Sequence, residues 1–183
     1  MSNRNFLVKP VTESKTHTMT VLVDNEPGVL ARVIGLFSGR GYNIESLTVA
    51  EVDPAAHLSR ITIVTSGTPM VIEQIKAQLG RLVPVHHVRD VTVDGPAVQR
   101  ELALIKVRVT GKSRPEVVSI VEMHRGRVVD LSDDAVIVEI VGEPSEVDRV
   151  VELLREFGIK ELVRTGSVVM SRGSGSIEEQ VKR

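Results

Sequence analysis

The stretch that decides the fold is residues 18–37, TMTVLVDNEPGVLARVIGLF. In its first part, apolar Met19, Val21 and Val23 occupy alternate positions, which predicts a strand with one drier face. Residues 24–28, DNEPG, combine the strongest turn-forming residue types. The remainder predicts a helix with one apolar stripe, which consists of Val29, Leu30, Val33, Ile34 and Phe37. A strand–turn–helix unit therefore begins the ordered part of the chain.

The same reading extends through residue 93. Residues 42–52 predict a second strand, 58–65 a third and 83–93 a fourth. A second helix lies between the third and fourth strands, with an apolar stripe of Ile72, Ile75, Leu79 and Leu82. The order β-α-β-β-α-β is that of the ferredoxin-like fold.

The pattern then recurs. Strands are predicted at residues 103–109, 128–131 and 135–141, with a last strand running through 159–170, and helices near 117–121 and 147–154. The predicted fold class is α+β, with two tandem ferredoxin-like βαββαβ domains. The predicted divisions are a flexible arm (1–16), a first domain (17–93), a linker (94–100), a second domain (101–171) and a flexible tail (172–183).

Composition limits the classes of function. The chain has 183 residues, a formal net charge of −1 and no cysteine. The charge balance argues against a general nucleic-acid binder. A base-stacking RNA platform needs aromatic residues on its central strands, and residues 58–65 and 102–109 contain none. Without a secretion signal or a long apolar run, the expected location is cytoplasmic, with no membrane partner. Helices on one face of each sheet would leave the other face open, which predicts a homodimer or higher homo-oligomer.

The sequence lacks the motifs typical of catalysis. It has no phosphate-binding P-loop, no H-E-x-x-H zinc motif and no G-x-S-x-G nucleophile elbow. His86 and His87 are adjacent in a predicted strand and would point to opposite faces, so a shared metal is not expected. Asp133 and Asp134 occupy a predicted turn, where a magnesium site is a weaker alternative to ordinary turn chemistry. These observations favour binding over catalysis, and no metal or cofactor is expected in this chain.

The corner between the first strand and helix is the best candidate for a binding site. A helix N-terminus attracts a carboxylate, Gly28 would let a small ligand approach the backbone, and the amide of Asn25 can donate and accept. Val29 and Leu30 would add an apolar wall. Together these features suit a free aliphatic α-amino acid, and an ordinary helix cap remains the alternative reading.

Two runs carry a family resemblance: DNEPGVLARV at residues 24–33 and GLFSGRGYNIESLTV at residues 35–49. With LSRITI at 58–63, RELALIKV at 100–107 and RTG at 164–166, they resemble the small regulatory subunits of acetolactate synthase (acetohydroxyacid synthase), which belong to the ACT-domain proteins. The likeness extends from about residue 18 to residue 172. It implies an N-terminal ACT domain followed by a C-terminal ACT-like domain.

The resemblance also implies a function in valine, leucine and isoleucine biosynthesis. The chain would activate a separate large catalytic subunit, which would carry thiamine diphosphate, Mg²⁺ and FAD, and would confer feedback inhibition by valine or a related amino acid. The effector would bind where two ACT domains meet. One subunit would supply Asn25, Glu26, Pro27, Gly28, Val29 and Leu30, and the partner subunit would supply Asn43 and Ile44.

Pro27 stands where many relatives have Ser, and its missing N–H removes one candidate donor to a carboxylate. The alternative reading is an ACT-type amino-acid sensor that regulates a different enzyme or a transcription factor. The sequence offers no spare helical stretch with a basic face for binding DNA.

Overall fold

The computed structural model of the protein describes residues 13–177. The first half consists of six elements in the predicted order: β1 (Lys15–Asp24), α1 (Val29–Arg40), β2 (Ser46–Asp53), β3 (Leu58–Gly67), α2 (Pro69–Leu79) and β4 (Val85–Asp90). Its strands form an antiparallel sheet in the order β2-β3-β1-β4. The two central strands are therefore the first and third, as a ferredoxin-like unit requires.

The second half repeats this plan. Its elements are β5 (Ala97–Arg108), α3 (Arg114–Met123), β6 (Arg127–Leu131), β7 (Ala135–Gly142), α4 (Pro144–Leu154), β8 (Ile159–Arg164) and β9 (Val168–Ser171). The sheet order is β6-β7-β5-β8, and β9 pairs with the beginning of β5. The predicted α+β class with two βαββαβ units is confirmed.

Four predicted boundaries were wrong. The second strand begins at Ser46 rather than 42, and the fourth covers only Val85–Asp90. The last predicted strand, 159–170, is two strands, because residues 165–167 turn the chain from one partner strand to another. Residues 97–100 of the predicted linker belong to β5, where they pair with β9. The apolar pattern does not reveal the break at residues 165–167, because the strands on both sides of it contain β-branched residues.

The predicted terminal segments lie partly outside the described residues. Of the arm at 1–16, residues 1–12 are not described, and Lys15 already belongs to β1. Of the tail at 172–183, residues 178–183 are not described, and Ile177 is buried.

Each half has its own core, built from alternate strand positions and from the apolar stripes of two helices. The first core includes Met19, Val21, Phe37, Ile63 and Ile75, among other buried residues. The second includes Ile105, Val121, Val138, Val150 and Leu154, among others. No residue of one cluster belongs to the other. The described chain therefore contains two independently packed units.

The helix-free face of the first sheet is covered by the chain itself. Thr20 and Leu22 alternate with core positions of β1, yet both are fully buried. Arg60, on the same face of β3, donates from Nη2 to the carbonyl oxygen of Val169 at 2.6 Å, which places β9 against this face. The C-terminal part of the same chain therefore contacts this face, and the predicted homo-oligomer stays a prediction.

The helix-free face of the second sheet remains open. Leu104, Val141 and Val163 lie on it and are each at least one-third exposed. Two ion pairs border these residues, Lys106 with Glu161 and Arg127 with Glu139.

A substitution at Gly126 would test how tightly the second core is packed. A Cβ there would overlap with Ile140 Cδ1 and would lie 2.8 Å from the carbonyl oxygen of Glu139. We expect Gly126→Ala to lower the free energy of unfolding by about 1–3 kcal/mol, the usual cost of overpacking. Chemical denaturation followed by circular dichroism would measure this. Gly111→Ala is the matched control, since no described atom lies within 4 Å of its added Cβ, and equal stability of the two variants would contradict the prediction.

Candidate functional site

The predicted corner between β1 and α1 is an exposed turn at one end of the first sheet. Residues 25–28 are all exposed, and Gly28 immediately precedes the first helical residue. Among the residues that the structure describes, no side chain caps α1, and its first turn holds no acidic residue. The first N–H groups of a helix have no partner within the helix. The beginning of α1 therefore presents N–H donors and a partial positive charge to an anion.

Gly28 is required at this corner by its backbone conformation. Its φ is +86°, a region that residues with a side chain rarely adopt. No described atom lies within 4 Å of the position that a Cβ would take. The surface above Gly28 is therefore open, and a small ligand could reach the beginning of α1 there.

Asn25 is held from two sides. Its backbone N–H donates to the carbonyl oxygen of His57 at 2.6 Å, and its side-chain Nδ2 donates to Glu51 Oε1 at 2.8 Å. Next to it, Asp24 Oδ1 lies 2.6 Å from His86 Nε2. These contacts bring β2, the β2–β3 turn and β4 to the corner and place both an amide and a carboxylate beside the start of α1.

Sequence reasoning missed Glu51, His57 and His86 as members of this corner. In the antiparallel β1–β3 pair, Asp24 lies opposite Leu58, so the turn before β3 must meet the end of β1. The strand order could have indicated His57 once that pairing was assumed. Glu51 and His86 depend on the register of two further strand pairs, for which the sequence carries no separate signal.

The other predicted residues of the corner play unequal parts. Val29 is buried and packs into the first core, whereas the side chain of Leu30 is 38% exposed. Glu26 contributes its carbonyl oxygen, which accepts from the N–H of Val29 at 3.3 Å. Pro27 is exposed and has no N–H. Of the predicted apolar wall, only Leu30 faces solvent.

Asn43 and Ile44 lie at the opposite end of α1. A helix of 12 residues is about 18 Å long, so one chain cannot bring residues 43–44 and Gly28 into one small pocket. The carbonyl oxygen of Asn43 accepts from Thr65 Oγ1 at 2.6 Å, and Ile44 is partly buried against the first core. A pocket made from both segments therefore needs two chains.

The remaining candidates for chemistry are structural. Asp134 Oδ2 accepts from Lys160 Nζ at 2.6 Å, and this contact holds the pKa of Asp134 below its ordinary value. Burial lowers the pKa of His87, which lies opposite Leu22 in the pairing of β1 with β4. Residues 13–177 contain no group of three or more side chains arranged to hold a metal ion. None of the helices in this range has the length and apolarity to cross a membrane.

Comparison with known proteins identifies relatives over nearly the whole described chain. Residues 19–87 match the family model of the AHAS small subunit-like ACT domain, and residues 100–173 match that of the small subunit of acetolactate synthase. A probable acetolactate synthase small subunit of Methanothermobacter thermautotrophicus is 47% identical over 163 residues, which is 88% of this chain and 96% of the relative. The acetolactate synthase small subunit of Aquifex aeolicus is 47% identical over 91% of this chain and 86% of its own length.

A solved structure shows the same architecture. The crystal structure of the acetolactate synthase small subunit from Thermotoga maritima matches with a TM-score of 0.79 and 39% sequence identity. The match covers 88% of this chain and 99% of that chain, so it includes both halves and not the first domain alone. The chain therefore belongs to the family of acetolactate synthase small subunits.

Proposed function

We propose that this chain activates a separate acetolactate synthase catalytic subunit and makes it sensitive to inhibition by valine or a related branched-chain amino acid. The observation that carries the effector site is the open, uncapped beginning of α1 above Gly28. The regulated enzyme would be acetolactate synthase, because the chain belongs to the family of its small subunits. The chain itself would bind the effector and transmit its presence, and it would perform no catalytic step.

The corner suits the three parts of a free amino acid. The α-carboxylate would accept from N–H groups of the first turn of α1 other than that of Val29, which donates to Glu26, and the helix dipole favours negative charge there. The ammonium group would lie toward the Asn25–Glu51 pair, whose amide and carboxylate oxygens can accept from it. The aliphatic side chain would contact Leu30. Asn43 and Ile44 of the partner subunit would close the pocket, which explains why each chain holds only part of it.

The site is expected to discriminate only modestly among branched-chain amino acids. One methylene group in an apolar pocket changes binding by about 1–3 kcal/mol. Pro27 also removes one donor that a serine at this position would keep. Calorimetric titration with valine, leucine and isoleucine would establish the preferred effector. The stoichiometry would show whether each dimer interface holds one or two molecules.

Inhibition would follow from unequal binding to two arrangements of the assembly. An effector shifts an equilibrium only if it binds one state more tightly than the other. A ligand that contacts two chains favours the arrangement in which the binding residues of both chains lie close together. A coupling free energy of about 1–3 kcal/mol is typical for such regulation and would produce graded inhibition.

The division of labour between two chains is directly testable. In this proposal, thiamine diphosphate, Mg²⁺ and FAD bind the catalytic subunit. The purified chain, supplied with pyruvate and all three cofactors, should form no acetolactate. It should stimulate the purified catalytic subunit when the two are mixed, and valine should reduce that stimulated rate. Acetolactate formation by the chain alone, or no stimulation on mixing, would contradict the proposed function.

A further inference from the structure

The two halves are joined by polar contacts at the turn between β8 and β9. Their apolar cores share no residue, and a further contact between the halves is the hydrogen bond from Arg60 to the carbonyl oxygen of Val169. At residues 165–167 the chain leaves the second sheet and touches β2 of the first. We call the contact between Ser46 and Thr48 on β2 and this turn the interdomain clamp.

The clamp consists of hydrogen bonds to main-chain groups. The N–H of Ser167 donates to Ser46 Oγ at 3.2 Å. Thr48 Oγ1 donates to the carbonyl oxygen of Ser167 at 3.1 Å, with the carbonyl oxygen of Thr165 at 3.5 Å. Ser46 and Thr48 are two positions apart on one strand, so both side chains point to the same face. They hold both main-chain groups of Ser167.

Gly166 allows the turn to approach β2 closely. Its φ is +81°, which favours glycine. A Cβ at this position would also overlap with Ser46 Oγ and would lie 3.0 Å from Thr48 Oγ1. The turn therefore lies close against the Ser46 and Thr48 side chains of β2, with no room for a side chain at position 166 unless they move.

On its other side, the turn is fastened to β5. The N–H of Thr165 donates to the carbonyl oxygen of Leu102 at 3.0 Å, and Thr165 Oγ1 accepts from the N–H of Leu102 at 3.1 Å. The neighbouring Arg164 forms a two-pronged ion pair with Glu101, which is buried. The hydrogen bond to Glu101 raises the pKa of Arg164, so the guanidinium stays charged. The turn therefore moves with the second half as one unit.

The clamp lies close in sequence to residues 43–44, which are the predicted effector-binding residues of the partner subunit. Ser46 follows Ile44 by two positions, and the main chain between them is fixed to β3, where the N–H of Glu45 donates to the carbonyl oxygen of Val64 at 2.8 Å. A cleft of about 960 Å³ lies between the halves beside the clamp, with Thr16 and Gln99 among its lining residues. The cleft separates the two halves on this side of the clamp.

We propose that the interdomain clamp transmits effector binding from the first half to the second. An effector that touches residues 43–44 repositions the beginning of β2, and the contact of Ser46 and Thr48 with residues 165–167 turns the second half. This inference rests on the proposed function, since it takes the effector to bind at the ACT dimer interface. It identifies Ser46, Thr48 and Gly166 as positioning residues.

The test combines one measurement on the free small subunit with one on the reconstituted enzyme. Hydrogen exchange of the peptide that contains Ser167 is measured with and without saturating valine. The double variant Ser46→Ala/Thr48→Val removes the clamp's side-chain partners. Thr110→Val/Ser113→Ala is the matched control, because the described hydrogen bonds of these two hydroxyls join only residues 110 and 113 of the second half. Valine binding to each protein is measured by calorimetry.

In the wild type, valine should change the exchange rate of the Ser167 amide by roughly 5-fold or more, the lower end of typical allosteric coupling. The double variant should bind valine with wild-type affinity, show no such change and lose most of its inhibition by valine in the reconstituted enzyme. The control should behave as the wild type. The exchange measurement on the wild type does not depend on how well any variant folds.

The failures of the two proposals are distinguishable. If valine binds and inhibits the wild type without altering exchange near Ser167, the clamp proposal is overturned and the proposed function stands. The same holds if the double variant remains as inhibited as the wild type. If valine does not bind the wild type at all, both the proposed function and the clamp proposal are overturned.

Discussion

Gly28→Asp is expected to abolish inhibition by valine while it leaves activation of the catalytic subunit intact. The substitution places a negative charge where the effector's carboxylate would bind. Two like charges 4 Å apart repel by about 1–4 kcal/mol between bulk water and a protein surface, which is a roughly 5- to 1,000-fold loss of affinity. The open space above Gly28 admits the new side chain without a clash. Calorimetry with valine and an inhibition assay would measure the effect.

Gly28→Asn is the matched control for this prediction. Asn and Asp have nearly the same shape, and both tolerate positive φ better than other residues that have a side chain. The strain at φ +86° is therefore similar in the two variants, and only the charge differs. Asp should weaken valine binding far more than Asn does. Equal losses of valine affinity would show that the shape of the new side chain, and not its charge, weakens binding. Wild-type inhibition in the Asp variant would refute the site.

Asn25→Ala examines the other side of the same pocket. It removes the amide that binds Glu51 and leaves the backbone hydrogen bond to His57 in place. Because the main chain of the corner keeps its anchor, folding should be preserved while inhibition by valine is lost. Together with Gly28→Asp, this variant separates recognition of the ammonium side from recognition of the carboxylate side.

Phe37→Ala should have the largest effect on stability. Phe37 is almost fully buried in the first core, and loss of such a ring costs about 3–5 kcal/mol. A unit of roughly 75 residues has a total stability of about 4–11 kcal/mol. The first half should therefore be close to unfolding in this variant. Because the two cores are separate, the second half should remain folded.

The chain provides its own probe for this test. Tyr42 is the only tyrosine and the sequence has no tryptophan, so tyrosine fluorescence reports on the first half alone. Its ring packs edge-on against that of Phe37, with centroids 6.1 Å apart. In denaturant, Phe37→Ala should shift the fluorescence transition to lower concentration and leave a later transition in circular dichroism. The matched variant Phe157→Ala, in the second half, should spare the fluorescence transition. A single shared transition in both variants would show that the halves unfold together.

The site divides into parts that could and could not be predicted from sequence. Asn25 and Gly28 were predicted as site residues because a turn followed by a helix is a local pattern, and helix termini have local electrostatic consequences. Glu51 and His86 were missed because their place depends on the register of distant strands. Val29 was assigned to the ligand although its side chain belongs to the core. An apolar helical residue next to a turn fits either role until the sheet beneath it is known.

The same distinction applies to the whole protein. Local periodicity and turn chemistry, which act over a few neighbouring residues, determined the order of elements, the two-fold repetition of the βαββαβ unit and the strand–turn–helix corner. Only the tertiary structure decided that the chain covers its own first sheet, that the last strand is broken at residues 165–167 and that Gly166 meets Ser46. These features arise from contacts between residues about 110 to 120 positions apart, whose geometry depends on strand register and on how two separate cores are placed. No local pattern in the sequence encodes them.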